Sequence, residues 1–217
     1  MIEPYYKDDY VTIYNGDCLE IIPQLDMKFD LVLTDPPYGI NLDLEHSGMQ
    51  KWNRKRNTGD IKYTDKIIGD DGSLDCSFLY RFDKRIIWGH PYIYDINATG
   101  WLVWDKVPNS EWATLGSPVE MASSTTWKGF RILHHLWNGF YRDEPRYGHP
   151  TQKPLRIIKY CLEKSGNNNS ILDPFLGSGT TCVAAKQLNR KCVGIEIEEK
   201  YCEIAAKRCS QEVLDLT

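Results

Sequence analysis

The chain has 217 residues, 41% of them hydrophobic and 26% charged, with 26 lysines and arginines against 30 aspartates and glutamates. That length supports one sizeable core, hence a single domain over 1–217, and a net charge of −4 excludes a wholly basic, histone-like DNA binder while leaving room for a local basic patch. No run of eighteen apolar residues occurs, which argues against a transmembrane helix, and the polar, acidic stretch from Met1 to Tyr10 does not read as a secretory signal.

Val11-Thr12-Ile13-Tyr14 is β-branched and aromatic and predicts the first strand. Asn15-Gly16-Asp17-Cys18-Leu19 follows, with Asp17 suited to cap a short helix. Phe29 to Thr34 is nearly continuous apolar and stops at Asp35-Pro36-Pro37-Tyr38; a run of that kind ended by proline suits a buried parallel strand. Residues 41–80 are polar and turn-rich and predict a long loop excursion. Within it, His46 to Thr58 carries Lys51, Arg54, Lys55 and Arg56, no acid, and an enclosed Trp52. Such a run fits phosphate neutralisation with an aromatic available to stack or wedge.

Strand character returns at Arg85–Trp88, Trp101–Trp104 and Arg131–Trp137, and Trp88-Gly89-His90-Pro91 ends one strand where it could line a cleft. Pro154 to Lys164 sets Leu155, Ile158 and Leu162 at helical spacing behind a proline. Ser170–Asp173 reads as a strand, Thr180–Leu188 as a helix, Lys191–Glu196 as a strand and Glu198–Cys209 as a helix. Alternation of this kind predicts an α/β fold, a parallel sheet covered on both faces. The seven cysteines form no C-x-x-C, so no metal site is expected and a reducing cytoplasm is the simplest compartment.

Asp173-Pro174-Phe175-Leu176-Gly177-Ser178-Gly179-Thr180-Thr181 leaves a strand and opens a helix, a place where backbone approaches a ligand and free N–H groups point outward. No lysine follows, so the P-loop pattern fails, and Cys182 stands where a dinucleotide fingerprint needs its third glycine. Glu196 ends the next strand, where a carboxylate can bond ribose hydroxyls. Asp173 would repel a pyrophosphate and suits a ligand carrying a cation, an ammonium or a sulfonium.

Thr34-Asp35-Pro36-Pro37-Tyr38 is the most specific pattern in the chain. Two prolines fix φ and remove two donors, leaving the Asp35 and Pro36 carbonyls as acceptors beside the flat face of Tyr38. That arrangement grips an NH₂ group on a planar base.

With Gly148-His149-Pro150-Thr151-Gln152-Lys153-Pro154 and Gly194-Ile195-Glu196 added, the chain resembles the amino-directed DNA methyltransferases that use S-adenosylmethionine. Their order, catalytic turn first and cofactor loop last, is similar to the β class, a circular permutation. The resemblance implies a Rossmann-like class I methyltransferase fold with a mostly parallel, seven-stranded sheet, in which helix 198–209 leads on to the strand at 11–14 across the cut.

By that resemblance Asp35, Pro36, Pro37 and Tyr38 hold a base extruded from the duplex, and Asp35 also borders the cofactor. Asp173, Pro174, Phe175, Gly177, Ser178, Gly179, Thr180 and Thr181 surround the cofactor's methionine portion, Glu196 its ribose, and Asp17 with Cys18 its adenine. His149 and Lys153 border the same site. The implied DNA contacts are Lys51, Trp52, Arg54, Lys55 and Arg56, with target recognition over 109–146. Asp at the first position of the turn favours adenine over cytosine as the methylated base; the cytosine amino group is the alternative, and a non-catalytic DNA-binding module is the reading from a different class. The expected partners are double-stranded DNA, a second copy if the enzyme is a homodimer, and a restriction endonuclease where one is paired with it, in a bacterial, archaeal or phage-infected cytoplasm, with no membrane.

Overall fold

The computed structural model describes residues 2–41, 67–72, 74–107, 117–137 and 144–211. The basic run with Lys51, Trp52, Arg54, Lys55 and Arg56 lies outside the described residues, as do parts of 41–80 and 109–146.

The strands are β1 (Tyr6–Lys7), β2 (Val11–Asn15), β3 (Leu31–Thr34), β4 (Arg85–His90), β5 (Gly100–Asp105), β6 (Val119–Ser124), β7 (Gly129–His134), β8 (Ser170–Asp173) and β9 (Lys191–Glu196). The helices are α1 (Cys18–Ile21), α2 (Leu155–Lys164), α3 (Thr180–Gln187) and α4 (Glu199–Ser210), with 3-10 turns at Ile22–Gln24 and Cys76–Arg81. All nine strands form one sheet in the order β1-β2-β9-β8-β3-β4-β6-β5-β7. The pairs β2–β9, β9–β8, β8–β3, β3–β4 and β5–β7 are parallel, so the sheet is mostly parallel as expected.

Each of the seven runs predicted as strands enters this sheet; β1 and β6 bring the described total to nine rather than seven. β6, Val-Glu-Met-Ala-Ser-Ser, has neither alternation nor a β-branched run, and only its antiparallel pairing with both β4 and β5 makes it a strand. β6 and β7 both fall within 109–146, so part of that region belongs to the sheet.

The continuous apolar runs have a simple cause. Leu31 and Leu33 face a layer holding Ile157, Leu162, Cys182 and Cys202 of the long helices. Val32 faces the opposite layer, with Cys18, Ile21 and Leu79. A strand buried on both sides needs apolar residues at every position. β2 lies parallel to β9 and packs against α4, the neighbourhood that a permuted chain requires.

One topological feature positions the site. β3 pairs with β8 on one side and β4 on the other, while β8 continues to β9 in the opposite direction across the sheet. The chain direction across the sheet therefore reverses between β3 and β8. Ligands of open α/β sheets bind beyond the carboxyl ends of the strands at such a switch point. Here those ends are Thr34-Asp35 and Asp173.

Candidate active site

The turn after β3 is held by Asp70 and Lys153 and by one bond within itself. Its backbone is fixed by Asp70, whose Oδ1 accepts from the Gly39 amide at 2.9 Å and the Ile40 amide at 3.3 Å. Gly39 sits at φ +71°, a conformation that costs a side chain dearly. The Tyr38 hydroxyl donates to Asp35 Oδ1 at 2.6 Å. Lys153 donates to Asp35 Oδ2 and, at 3.3 Å, to the Tyr38 hydroxyl.

Lys153 is the centre of a charge chain. Its side chain is 7% exposed and also pairs with Glu120 at 3.1 Å, and Glu120 in turn pairs with Lys106. The ammonium lies 5.8 Å from the Tyr38 ring centre and 5.4 Å from that of Trp88. Burial works against this cation, but Asp35 and Glu120 outweigh it and hold its pKa above the ordinary lysine value. Burial likewise opposes the Glu120 carboxylate; Lys153 and Lys106 overcome that and bring it down to about 2. At Asp35 burial prevails: Lys153 counters it, Glu120 reinforces it, and the pKa stands above the usual carboxylate value.

The glycine turn is shaped by close approach. Gly177 has φ +53°, and a Cβ there would meet His149 Nε2 at 3.0 Å; Gly179 has φ +85° and would meet Ala205 Cβ at 2.7 Å. Glu196 ties the turn to the end of β9, accepting from the Gly177 amide at 2.8 Å and the Glu198 amide at 2.9 Å. Burial raises Glu196 to about 7. From behind, buried Arg208 donates to the Ser178 carbonyl at 2.6 Å, and to the Ser178 and Thr180 hydroxyls at 3.1 Å each. Its guanidinium lies 4.1 Å over the Tyr147 ring.

Asp173 is 3% exposed. It accepts from the Thr34 hydroxyl at 2.6 Å and the Phe175 amide at 3.2 Å, and no cation pairs with it among the described residues. Burial pushes it up to about 6 despite the hydroxyls of Thr181 and Thr34. His149 packs edge-on to Tyr201 with ring centres 4.5 Å apart. Burial, aided by Lys153 and Arg146, lowers its pKa to about 3, so the ring is neutral at physiological pH.

An inner cavity brings Thr34, Asp35, Trp88, Lys153, Asp173 and Thr181 together. A wider cleft of about 1130 Å³ runs from Gly16, Asp17 and Cys18, past Phe175, Gly177 and Glu196, along Asp35–Tyr38, to Trp104, Lys106 and Glu120. That exceeds the roughly 300–1,000 Å³ of a one-ligand pocket, leaving room for two molecules side by side.

Of the residues named from sequence, Asp35, Pro36, Pro37, Tyr38, His149, Lys153, Pro174, Phe175, Gly177 and Glu196 line this cleft, and Asp173, Ser178, Thr180 and Thr181 line the inner cavity. Asp17 caps α1 through the Leu19 amide at 2.8 Å and lines the far end. Cys18 beside it is buried, which pushes its thiol up to about 12 and keeps it protonated. Lys153, expected only at the cofactor's border, is bonded to the Asp35–Tyr38 turn itself. Sequence reasoning missed Asp70, Lys106, Glu120 and Arg208. No local pattern marks them; Arg208 carried a faint signal, a charged residue in phase with the apolar face of its helix.

A family model described as DNA methylase matches residues 104–207. A type II methyltransferase of Streptococcus pneumoniae, M2.DpnII, is 48% identical over 257 residues, which cover 98% of this chain and 94% of the relative. M2.LlaDCHI of Lactococcus lactis subsp. cremoris, also a type II methyltransferase, is 26% identical, covering 97% of this chain and 93% of its own. Among solved structures, the M1.HpyAVI-SAM complex superposes with a TM-score of 0.57 at 24% identity, covering 92% of this chain and all of that one. The PvuII DNA methyltransferase, titled cytosine-N4-specific, gives 0.63 at 14% identity over 98% of this chain and 91% of its own. Both share the fold.

Proposed function

The chain belongs to the DNA methylase family of amino-methyltransferases, and on that premise we propose that it moves a methyl group from S-adenosylmethionine to the exocyclic amino group of an adenine extruded from duplex DNA. The observation that carries this reading is the meeting of Asp35 and Asp173 in one cavity, at neighbouring strand ends linked by Thr34.

The residues fit the cofactor. Asp173 is a buried carboxylate with no cationic partner among the described residues, and such a group suits a positively charged ligand. Glu196, Gly177 and Asp17 extend the cleft in the direction a nucleoside would occupy. When bound, S-adenosylmethionine supplies a methyl group activated by its sulfonium. The protein's own part is orientation. Asp35 and the Pro36 carbonyl accept from the target NH₂, which draws the nitrogen lone pair out of conjugation and aims it across the cavity. Lys153 and the Tyr38 hydroxyl fix the Asp35 carboxylate in place for this task. In taking up the methyl group the amino nitrogen would lose one proton, and the Asp35 carboxylate would accept it. No cysteine nucleophile is needed.

Asp at the head of the turn favours adenine. Fold does not decide the base, since the PvuII enzyme shares it, so amino methylation of cytosine is the second reading. Lys51, Arg54, Lys55 and Arg56 are proposed to neutralise phosphates, with Trp52 beside them, and 109–146 to read the target sequence, in a single domain acting in the cytoplasm. The test is to incubate the protein with tritiated S-adenosylmethionine and duplex DNA and then to separate the nucleosides. Labelled N6-methyladenine is expected; labelled N4-methylcytosine would move the assignment to the second reading. DNA that stays unlabelled despite cofactor binding would overturn both.

A further inference from the structure

Beyond the catalytic turn, β4 ends in a short, firmly pinned loop. The Ile93 amide donates to the Gly89 carbonyl at 3.0 Å, closing a tight turn. The Ile93 side chain is buried in the core layer beneath. The Tyr80 hydroxyl donates to the Tyr94 carbonyl at 3.0 Å, and Asp95 is gripped by Arg85 through two bonds of 2.7 Å. With Ile93 and Asp95 turned inward, Tyr92, Tyr94 and Ile96 point outward and are 61%, 65% and 77% exposed.

Three large exposed side chains on a rigid loop need a reason, and Tyr92 supplies one. Its ring lies 15° from parallel to that of Tyr38, with centres 5.7 Å apart. Gly89 makes the arrangement possible: a Cβ there would fall 2.5 Å from Tyr38 Cε1. Tyr92 also lines the wide cleft, together with Asp35 and Lys153. The two tyrosines are therefore parallel plates, one belonging to the catalytic turn and one to the pinned loop.

We propose that Tyr92 is the second wall of the target-base slot, the base lying between the Tyr38 and Tyr92 rings. This rests on the function proposed above. The two rings already stack on each other with centres 5.7 Å apart, so the Tyr92 side chain must swing outward to admit the base between them. Because the loop is anchored at Gly89, Tyr94 and Asp95, the Tyr92 side chain makes that movement. The slot reads flatness rather than base edges; discrimination is left to the Asp35 and Pro36 acceptors and to the charged end of the cleft at Lys106 and Glu120.

The experiment compares wild type, Tyr92→Phe and Tyr92→Ala for kcat and KM on duplex DNA, with S-adenosylmethionine affinity measured by calorimetry. Tyr92→Ala is expected to lose about tenfold or more in kcat/KM for DNA, the loss of stacking on one aromatic face, with cofactor affinity unchanged. Tyr92→Phe should stay within about threefold of wild type, since it keeps the ring. Tyr92 is largely exposed, so an unchanged melting temperature checks that Tyr92→Ala remains folded. Wild-type turnover by Tyr92→Ala, or an equal loss in Tyr92→Phe, overturns the slot alone. Failure of the wild type itself to methylate DNA overturns the function reading and the slot with it.

Discussion

Replacing Lys153 with methionine keeps the length of the side chain and removes its charge. Among the described residues Asp35 then retains only the Tyr38 hydroxyl as a side-chain donor, while Glu120 keeps Lys106. Breaking a buried pair by deleting one partner costs about 3–5 kcal/mol. Here the Asp35 and Glu120 side chains are 20% and 25% exposed, so water screens part of the loss, and about 2–3 kcal/mol at pH 8 is the expected figure. The pH dependence follows in sign. Without Lys153 the Asp35 pKa, already raised by burial, rises further. A carboxyl raised in the folded state contributes stability at low pH that disappears as pH climbs through its folded pKa. The deficit of Lys153→Met relative to wild type is therefore largest at pH 8 and shrinks toward pH 5. The acid limb of the methyl-transfer profile moves upward as well, because Asp35 acts ionised. Urea midpoints at the two pH values and single-turnover rates across the range measure both effects, and a Lys153→Met/Asp35→Asn cycle should return a coupling above about 1 kcal/mol. A variant within 0.5 kcal/mol of wild type at both pH values, with an unmoved profile, would refute the charge-chain reasoning.

Three further outcomes are expected. Asp173, raised to about 6, must ionise to meet a cationic ligand, so S-adenosylmethionine affinity should climb from pH 5 to pH 7.5 in wild type and stay flat in Asp173→Asn; calorimetry at the two pH values decides it. Gly89→Ala places a methyl 2.5 Å from the Tyr38 ring at φ +102°, so methyl transfer should fall at least tenfold while cofactor affinity holds; steady-state kinetics beside calorimetry would show it, and full activity would mean the Tyr38 position is not demanding. Arg208→Met leaves the Ser178 carbonyl and two hydroxyls without their donor, which should cost about 2–3 kcal/mol in urea unfolding and weaken cofactor binding through a loosened glycine turn.

The strands and helices that carry the site were legible because their signals are local. Phe29 to Thr34 is apolar at every position and Pro36 and Pro37 end it, which specifies both a buried strand and a rigid turn. The glycines at 177 and 179 announce positive φ and close approach before any partner is known. β6 was not legible: Val119–Ser124 becomes a strand only between β4 and β5. Asp70 looked like one polar loop residue among many, and only folding brings its carboxylate under Gly39 and Ile40.

The sequence, read residue by residue, determined by itself which turns could serve as a site and the kind of ligand proposed for each: an NH₂ group at Asp35-Pro36-Pro37-Tyr38 and a cation-bearing nucleoside at Asp173 to Thr181. The tertiary structure alone decided that these turns share a cavity, that Lys153 pairs with Asp35, and that Glu120 and Lys106 complete its charge chain. The reason is that propensity, φ restriction and donor count are properties of neighbours in the chain. Compensation of a buried charge depends on distance in space, and Asp35, Glu120 and Lys153 meet only once the strands have paired.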